Sequence, residues 1–326
     1  MPQYKEKERK TLETKKKKKF KLFDMNRDGP GVEKGEDTTP NLKYFFKLWG
    51  RKFWRLISLN LLMLVQVLPL VVAVYLHMTA PKNPTQYFPL YAPMLGAQTA
   101  LPTAAGATLF SGASGLLREI TVFNSPIYWI IGILLVLHVA TYGWQKAGTT
   151  YILRNMVRGD GVFLLSDYFY AICRNWKQAL GMGILDCVVI GVLFFDFNYF
   201  YGMPPSMGTN FMYVMTIALI LIYVIMRFYM YTMMVTFDMK LSKILKNALI
   251  FTALGIKRNL LALLGITALT AVSAALIVLG IQISFPAIII IPVLYLLAFC
   301  GFIYTYAVYP VIKKYMIDPV APPPLP

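Results

Sequence analysis

Charged side chains are scarce in this chain. Only 14% of its 326 residues are charged and 57% are hydrophobic, whereas roughly 25% of the residues of an average soluble protein are charged. A soluble domain could not bury that much apolar surface. Several apolar segments exceed the ~20 residues with which a helix crosses a bilayer, so we predict a membrane protein.

Histidine and cysteine are also rare, which excludes several kinds of site. The two histidines, His77 and His138, are too few for a His-based metal centre. The three cysteines, Cys173, Cys187 and Cys300, show no C-x-x-C spacing, and we expect free thiols. No nucleophile constellation and no phosphate-binding glycine loop is present. We therefore predict a protein that is not an enzyme and needs neither a cofactor nor a metal.

Acids are fewer than bases, and the bases are unevenly distributed. The net charge is +17, and residues 1–52 hold 16 of the 32 Lys and Arg. In a soluble chain this excess would suggest nucleic acid. Here the remaining cations cluster between apolar segments, as the positive-inside bias requires. We predict no nucleic-acid partner, and a multi-pass protein of the cell membrane with both termini in the cytoplasm.

The N-terminal tail, residues 1–40, is predicted to be basic, cytoplasmic and disordered. Its run Lys15–Lys19 is either simply solvated or bound to anionic lipid. Residues 24–36 resemble the opening of an EF-hand loop, but Gly35 stands where the last calcium ligand should be Glu. We therefore favour a turn-rich tail over a calcium site.

Hydropathy predicts an all-α fold, a polytopic membrane helix bundle with about six transmembrane helices plus cytoplasmic amphipathic helices. The six-span membrane domain covers residues 41–315, and a Pro-rich tail follows over 316–326. The spans are predicted at approximately 53–76, 127–145, 178–200, 210–237, 260–281 and 287–309.

Two stretches favour helices that lie on the inner membrane surface. Residues 41–55 interleave aromatic and cationic side chains, which suggests an interfacial helix before the first span. Residues 238–259 predict an amphipathic helix. Its apolar face would comprise Leu241, Ile244, Leu245, Leu249 and Ala253. The outer connection 77–125 is weakly polar, so it is either an irregular loop or includes a surface-lying piece around 101–117.

A possible repeat links three stretches, residues 51–64, 173–186 and 255–268. Each begins with two or three cations and continues as an apolar helix. The repeating unit would be an inner amphipathic helix, a span, an outer turn and a second span, as in many transport folds. The alternative is that any span entering from the inside begins with a basic, aromatic flank.

A basic stretch of residues 146–177, which we call the platform, lies between the second and third predicted spans. It holds five cations and two of the few acids outside the tail. We expect it to form a cytoplasmic surface for a protein partner. The side chains proposed to face that partner are Arg154, Arg158, Asp160, Asp167 and Trp176.

Charged residues inside spans mark a second candidate site, because burying a charge in a membrane costs a few kcal/mol. Asp186 and Arg227 lie in neighbouring antiparallel spans, each about 15 Å from the inner surface. We predict that they form an ion pair, which is either a structural clamp or a gated substrate or proton site. His138 and Asn60 are the other intramembrane polar candidates.

Four stretches of the sequence carry a family resemblance: GPGVEKGE (29–36), FFKLWGRKFWRLISLNLL (45–62), KAGTTYILRNMVRGDGVFLLSDYF (146–169) and NWKQAL (175–180). They resemble the YesL-like family of bacterial integral membrane proteins, a domain of unknown function. The resemblance implies a multi-span protein, sometimes encoded beside carbohydrate-uptake or carbohydrate-degradation systems. It implies no reaction, ligand or catalytic residue.

These observations leave two main functional hypotheses. The first is an accessory component of a transport or sensing system, which the family resemblance links to carbohydrates, that binds a membrane transporter or sensor through the platform. The alternative is a small solute transporter or channel that uses the intramembrane Asp–Arg site. A membrane enzyme is the minority reading, because no site is visible.

Overall fold

The computed structural model describes residues 39–80, 82–84, 119–121, 126–285 and 287–319. The helices are α1 (Leu42–Thr79), α2 (Pro126–Arg158), α3 (Leu164–Gly202), α4 (Met207–Met234), α5 (Leu241–Leu254), α6 (Ile256–Gln282) and α7 (Ala287–Ile312), which continues as a π-helical turn, Lys313–Ile317. Two short strands, β1 (Lys82–Pro84) and β2 (Glu119–Thr121), pair antiparallel with Lys82 opposite Thr121. The predicted all-α fold is confirmed.

Several segments with specific predictions lie wholly or mostly outside the described residues. They are the N-terminal tail 1–40, which includes the lysine run 15–19 and the EF-hand-like stretch 24–36, the piece 101–117 of the outer connection and the Pro-rich tail 316–326. Those expectations stay predictions.

Six helices in the described part of the chain are long and apolar enough to cross a membrane. They are α1, α2, α3, α4 and α6, together with the stretch Ile290–Ile317 of α7 and its π-helical turn. The predicted number of spans is therefore confirmed.

The helices α1, α2 and α3 are longer than their predicted spans. At 1.5 Å per residue, their 38, 33 and 39 residues measure about 57, 50 and 58 Å, well above the ~30 Å of the hydrocarbon core. The cationic flanks therefore continue the spanning helices. The expected separate interfacial helix over 41–55 is wrong, since α1 passes through that stretch without a break.

Ring contacts explain why the start of α1 is continuous with its span. Phe45 packs against Phe302 with ring centroids 5.5 Å apart, and Trp49 packs against Phe299 at 5.4 Å. These aromatic side chains contact α7 over two turns, so burying them stabilises a straight extension of α1. An aromatic, cationic pattern can serve this packing as well as a membrane interface.

The three stretches of the proposed repeat begin differently. The first is uninterrupted helix in α1, and the second has non-helical dihedrals at Asn175 within α3 (φ −114°, ψ 16°). The third begins at Gly255, the break between α5 and α6. A separate amphipathic helix before the span is thus found, among the described residues, only in the third stretch.

The break at Gly255 has a packing cause. A Cβ at this position would collide with the hydroxyl of Tyr229, so only glycine fits. That hydroxyl donates to Asn259 Oδ1 at 2.8 Å, and Asn259 Nδ2 donates to the carbonyl of Thr252 at 3.0 Å. Asn259 therefore holds α4, α5 and α6 together where the chain changes helix.

The helix α5 confirms the predicted amphipathic segment but corrects its buried face. Its buried residues are Ile244, Ala248 and Phe251. Leu249 is 55% exposed, although it was expected on the apolar side. The buried face follows i, i+4 and i+7, and ring packing of Phe251 on Tyr229 at 5.7 Å turns the helix away from Leu249.

The chain divides into two compact units. Unit 1 comprises Met1–Leu62, Ala147–Asn175 and Ile220–Pro326, and unit 2 comprises Met63–Lys146 and Trp176–Leu219. The division falls inside α1, α2, α3 and α4. Unit 1 holds most of the large side chains that are fully buried, such as Leu56, Met156, Tyr229 and Phe302.

Candidate functional site

The platform is a helical hairpin made by the end of α2, a short turn and the beginning of α3. The turn depends on Gly159, whose φ of 82° lies in the left-handed region that favours glycine. Its N–H donates to the carbonyl of Met156 at 3.2 Å, and the N–H of Asp160 donates to that of Asn155 at 3.0 Å. These two bonds form a Schellman motif that ends α2.

Two acids stabilise either side of this turn. Asp167 Oδ2 accepts a hydrogen bond from the N–H of Phe163 at 2.9 Å, which caps the start of α3. Asp160 Oδ2 lies 3.1 Å from Arg158 Nε, and both side chains are a little over 40% exposed. The structure thus gives the two predicted acids local structural contacts while leaving them partly accessible.

Arg154 corrects the predicted partner surface, because it is buried instead of exposed. Its Nη1 donates to the carbonyl of Val235 at 2.7 Å, and its Nη2 donates to Asn155 Oδ1 at 2.8 Å. The guanidinium also lies 4.6 Å from the centre of the Tyr151 ring. Arg154 therefore connects α2 to the end of α4, within unit 1.

Two cations of α1 bind the turn of the platform. Arg55 is buried, and its Nη1 donates to the carbonyl of Val162 at 2.6 Å. Lys52 Nζ lies 3.4 Å from the carbonyl of Asp160. Sequence reasoning assigned both cations to an interfacial helix. Their spacing of three residues, which places them on one side of α1, was the available signal.

The outward side of the platform is aromatic and cationic. Phe163, Leu165, Phe169 and Tyr170 are each 47–58% exposed, and Arg174 is exposed beside them. The opposite side of this part of α3 is buried through Leu164, Tyr168 and Ala171. We call the exposed set, Phe163, Leu165, Phe169, Tyr170 and Arg174, the outward face. Its apolar members were not among the predicted partner residues.

Trp176 does not share a unit with the outward face, because it begins the unit 2 part of α3. It is 50% exposed, and its carbonyl accepts a hydrogen bond from Trp144 Nε1 at 2.9 Å. Within unit 2, this bond fastens α3 to α2 immediately after the irregular Asn175.

Among the intramembrane candidates, Asn60 has clear partners. It is fully buried. Its Nδ2 donates to the carbonyl of Val293 at 2.7 Å, and its Oδ1 accepts from the N–H of Ala298 at 3.0 Å. The two groups are five residues apart, one more than in a regular α-helical bond, so the amide is inserted into the ladder of α7 just after Pro292. Asn60 is a helix-to-helix link.

The other three candidates lie on three different helices. Asp186 is fully buried in the unit 2 part of α3, and Arg227 is half-buried in the unit 1 part of α4. The ion pair between them stays a prediction. His138 is half-buried in α2, with its ring 5.8 Å from that of Tyr142.

Over the described residues, no group of three or more His, Cys, Asp or Glu side chains is arranged to hold a metal ion. Cys173, Cys187 and Cys300 are reduced and form no disulfide.

The helices and their exposed apolar surfaces define a multi-pass α-helical membrane protein. Residues 123–197, which contain α2, the turn and most of α3, match the model of a family described as "Protein of unknown function, DUF624". No curated protein matches the chain. No solved structure matches it either.

Proposed function

We propose that the protein is an accessory component of a membrane transport or sensing system and binds its partner through the outward face of the platform. One observation carries this proposal. The outward face projects four large apolar side chains and an arginine from a hairpin whose buried side is held by Arg55 and Arg154.

A preformed face of this composition suits protein binding. Aromatic and arginine side chains are enriched at the centres of protein interfaces, where they contribute most of the affinity. Because charged hydrogen bonds already order the hairpin, less conformational entropy is lost when a partner binds. The partner surface should carry apolar pockets with acids facing Arg158 and Arg174.

The resemblance to the YesL-like family supplies the rest of the proposal. The matched residues 123–197 include the whole platform, and the family's link to carbohydrate uptake suggests a carbohydrate transporter or sensor as the partner. Orientation with both termini in the cytoplasm would place the platform inside the cell, on the cytoplasmic side of such a partner.

Affinity capture from gently solubilised membranes tests the proposal. The variant Phe169→Ala/Tyr170→Ala should retain about one tenth as much of the partner as the unmodified chain, or less. Phe194→Ala/Phe195→Ala is the matched control, since it removes two adjacent exposed aromatics from the unit 2 part of the same helix. Equal retention by the two variants, or a partner unrelated to transport or sensing, would reject the proposal.

A second candidate function, a solute transporter or channel, rests on Asp186. A fully buried acid in a membrane-spanning helix is costly and is commonly retained for ion or solute movement. Solute flux into vesicles should then fall with Asp186→Asn and persist with Asp196→Asn, which changes a half-buried acid near the end of α3. Unchanged flux with Asp186→Asn would exclude this function.

A further inference from the structure

An apolar groove opens within unit 1 between the start of α1, the first part of α6 and the second part of α7. Its volume is about 650 Å³, which lies within the range of small-molecule binding pockets. The platform is on other helices, so this groove is a separate feature.

Small residues on α6 create the groove. Ala262, Gly265 and Ala268 leave space along one side of that helix, while Trp49 and Phe299 form the facing wall. A Cβ at Gly265 would lie 3.3 Å from Ile303 Cγ2, so α6 and α7 are close at the base. The result is an apolar groove whose base is closely packed.

One end of the groove is cationic. Arg258 lies there and is half-buried, and its Nη2 donates to the carbonyl of Pro40 at 3.3 Å. In the described part of the chain it has no acidic partner, and a guanidinium has five N–H donors. The nearby hydroxyl of Tyr306 is already bonded to the carbonyl of Asn41 at 2.7 Å. Arg258 therefore retains donors for an anion.

The length of the groove fits one lipid chain. Along α6 it runs from Arg258 to Val272, which is about 21 Å at 1.5 Å per residue. One leaflet contributes about 15 Å of hydrocarbon, half of the ~30 Å core. A chain lying in the groove therefore extends through its leaflet while its headgroup stays at the cationic end.

We propose that this groove binds an anionic phospholipid, with one acyl chain along α6 and the phosphate on Arg258. A planar guanidinium binds phosphate oxygens through two parallel hydrogen bonds. An anionic lipid is preferred to a zwitterionic one because no headgroup ammonium opposes Arg258. The proposal does not depend on the platform having a partner.

Native mass spectrometry of the full chain, taken from vesicles of equimolar phosphatidylglycerol and phosphatidylcholine, tests this site. The protein should retain one phosphatidylglycerol in preference to phosphatidylcholine. Arg258→Gln should lower that preference about tenfold, and Arg258→Lys should keep part of it. Lys257→Gln, an exposed cation outside the groove lining, should change it much less.

A second pair of variants tests the acyl-chain channel. Ala268→Phe fills the groove from an exposed position and should abolish retention of both lipids, while Ala274→Phe, exposed on α6 but outside the lining, should not. Undiminished retention with Ala268→Phe, or an unchanged lipid preference with Arg258→Gln, would overturn the proposal. A photo-crosslinker at position 268 that captures protein instead of lipid would also overturn it.

Discussion

The two units of the molecule are stabilised in different ways. Over the described residues, unit 1 contains most of the buried polar side chains, among them Arg55, Asn60, Arg154 and Asn259, and hydrogen bonds join its helices through them. Unit 2 instead brings α2 and α3 together at Gly143 and Gly183, where a Cβ on either would collide with the facing backbone.

The difference shows how close backbone contact can add to a polar bond in specifying a membrane helix pair, since α2 and α3 of unit 2 are also joined by the bond from Trp144 to the Trp176 carbonyl. Small residues let helix backbones approach closely, so dispersion contacts supply the attraction that lipid does not. Charged and amide side chains in unit 1 provide directional contacts, and these position the platform. The comparison predicts that stability depends most on buried polar side chains in unit 1 and on closely packed glycines in unit 2.

The largest effect is expected from Arg154→Met, which removes the charged donor that connects α2 to the end of α4. The carbonyl of Val235 and the amide of Asn155 lose their bonds in a buried setting, so the free energy of unfolding should fall by about 3 kcal/mol. Thermal unfolding in detergent, followed by circular dichroism, measures this change.

The matched control for that variant is Arg158→Met, one helical turn further along α2. Arg158 forms a partly exposed ion pair with Asp160, and such pairs contribute less than about 1 kcal/mol. Equal losses from the two variants would mean that burial of Arg154 does not stabilise unit 1.

In unit 2, Gly143→Ala should lower the free energy of unfolding by about 2 kcal/mol, because the added methyl meets the Ala179 carbonyl. Gly191→Ala is the control, since a Cβ there meets nothing within 4 Å. Replacing that glycine should be neutral or stabilising by up to about 1 kcal/mol. Both variants are measured in the same unfolding assay. A loss of stability with Gly143→Ala but not with Gly191→Ala supports close backbone packing; equal losses contradict it.

A smaller effect is expected from Asn60→Leu. The substitution keeps a similar volume but leaves the Val293 carbonyl and the Ala298 N–H without the amide. Side-chain hydrogen bonds between membrane helices contribute about 1 kcal/mol, so the loss should be of that order. Asn198→Leu removes an exposed amide that bonds to the Phe194 carbonyl of its own helix and should lower stability less; a larger loss there would contradict the role of Asn60 as a link between helices.

The sequence predicts some features of this fold well. The six spans follow from hydropathy, because length and apolar content decide whether a helix can cross a bilayer. The amphipathic α5 follows from the helical spacing of its apolar residues. Helix continuity does not follow. The flank 41–55 has the composition of an interfacial helix, and only its ring contacts with α7 make it part of α1.

Arg154 shows why the candidate site was only partly predictable. The sequence of a basic stretch does not show whether its arginines face water or bind main-chain carbonyls. The partner of Arg154, the Val235 carbonyl, is 81 positions away in the sequence, so no local pattern indicates the contact. Arg158 and Asp160, bonded to each other across the turn, were closer to expectation because their contact is local. The outward face was missed because its aromatics resemble those of any membrane flank.

The central claim is that the outward face contacts a protein partner, and photo-crosslinking in intact membranes tests it most directly. The crosslinker would replace Phe169 in one variant and Phe195, an equally exposed aromatic in the unit 2 part of α3, in the other. The account predicts a defined adduct with a transport or sensing component from position 169 and lipid adducts alone from position 195. Lipid adducts alone from both positions would contradict it.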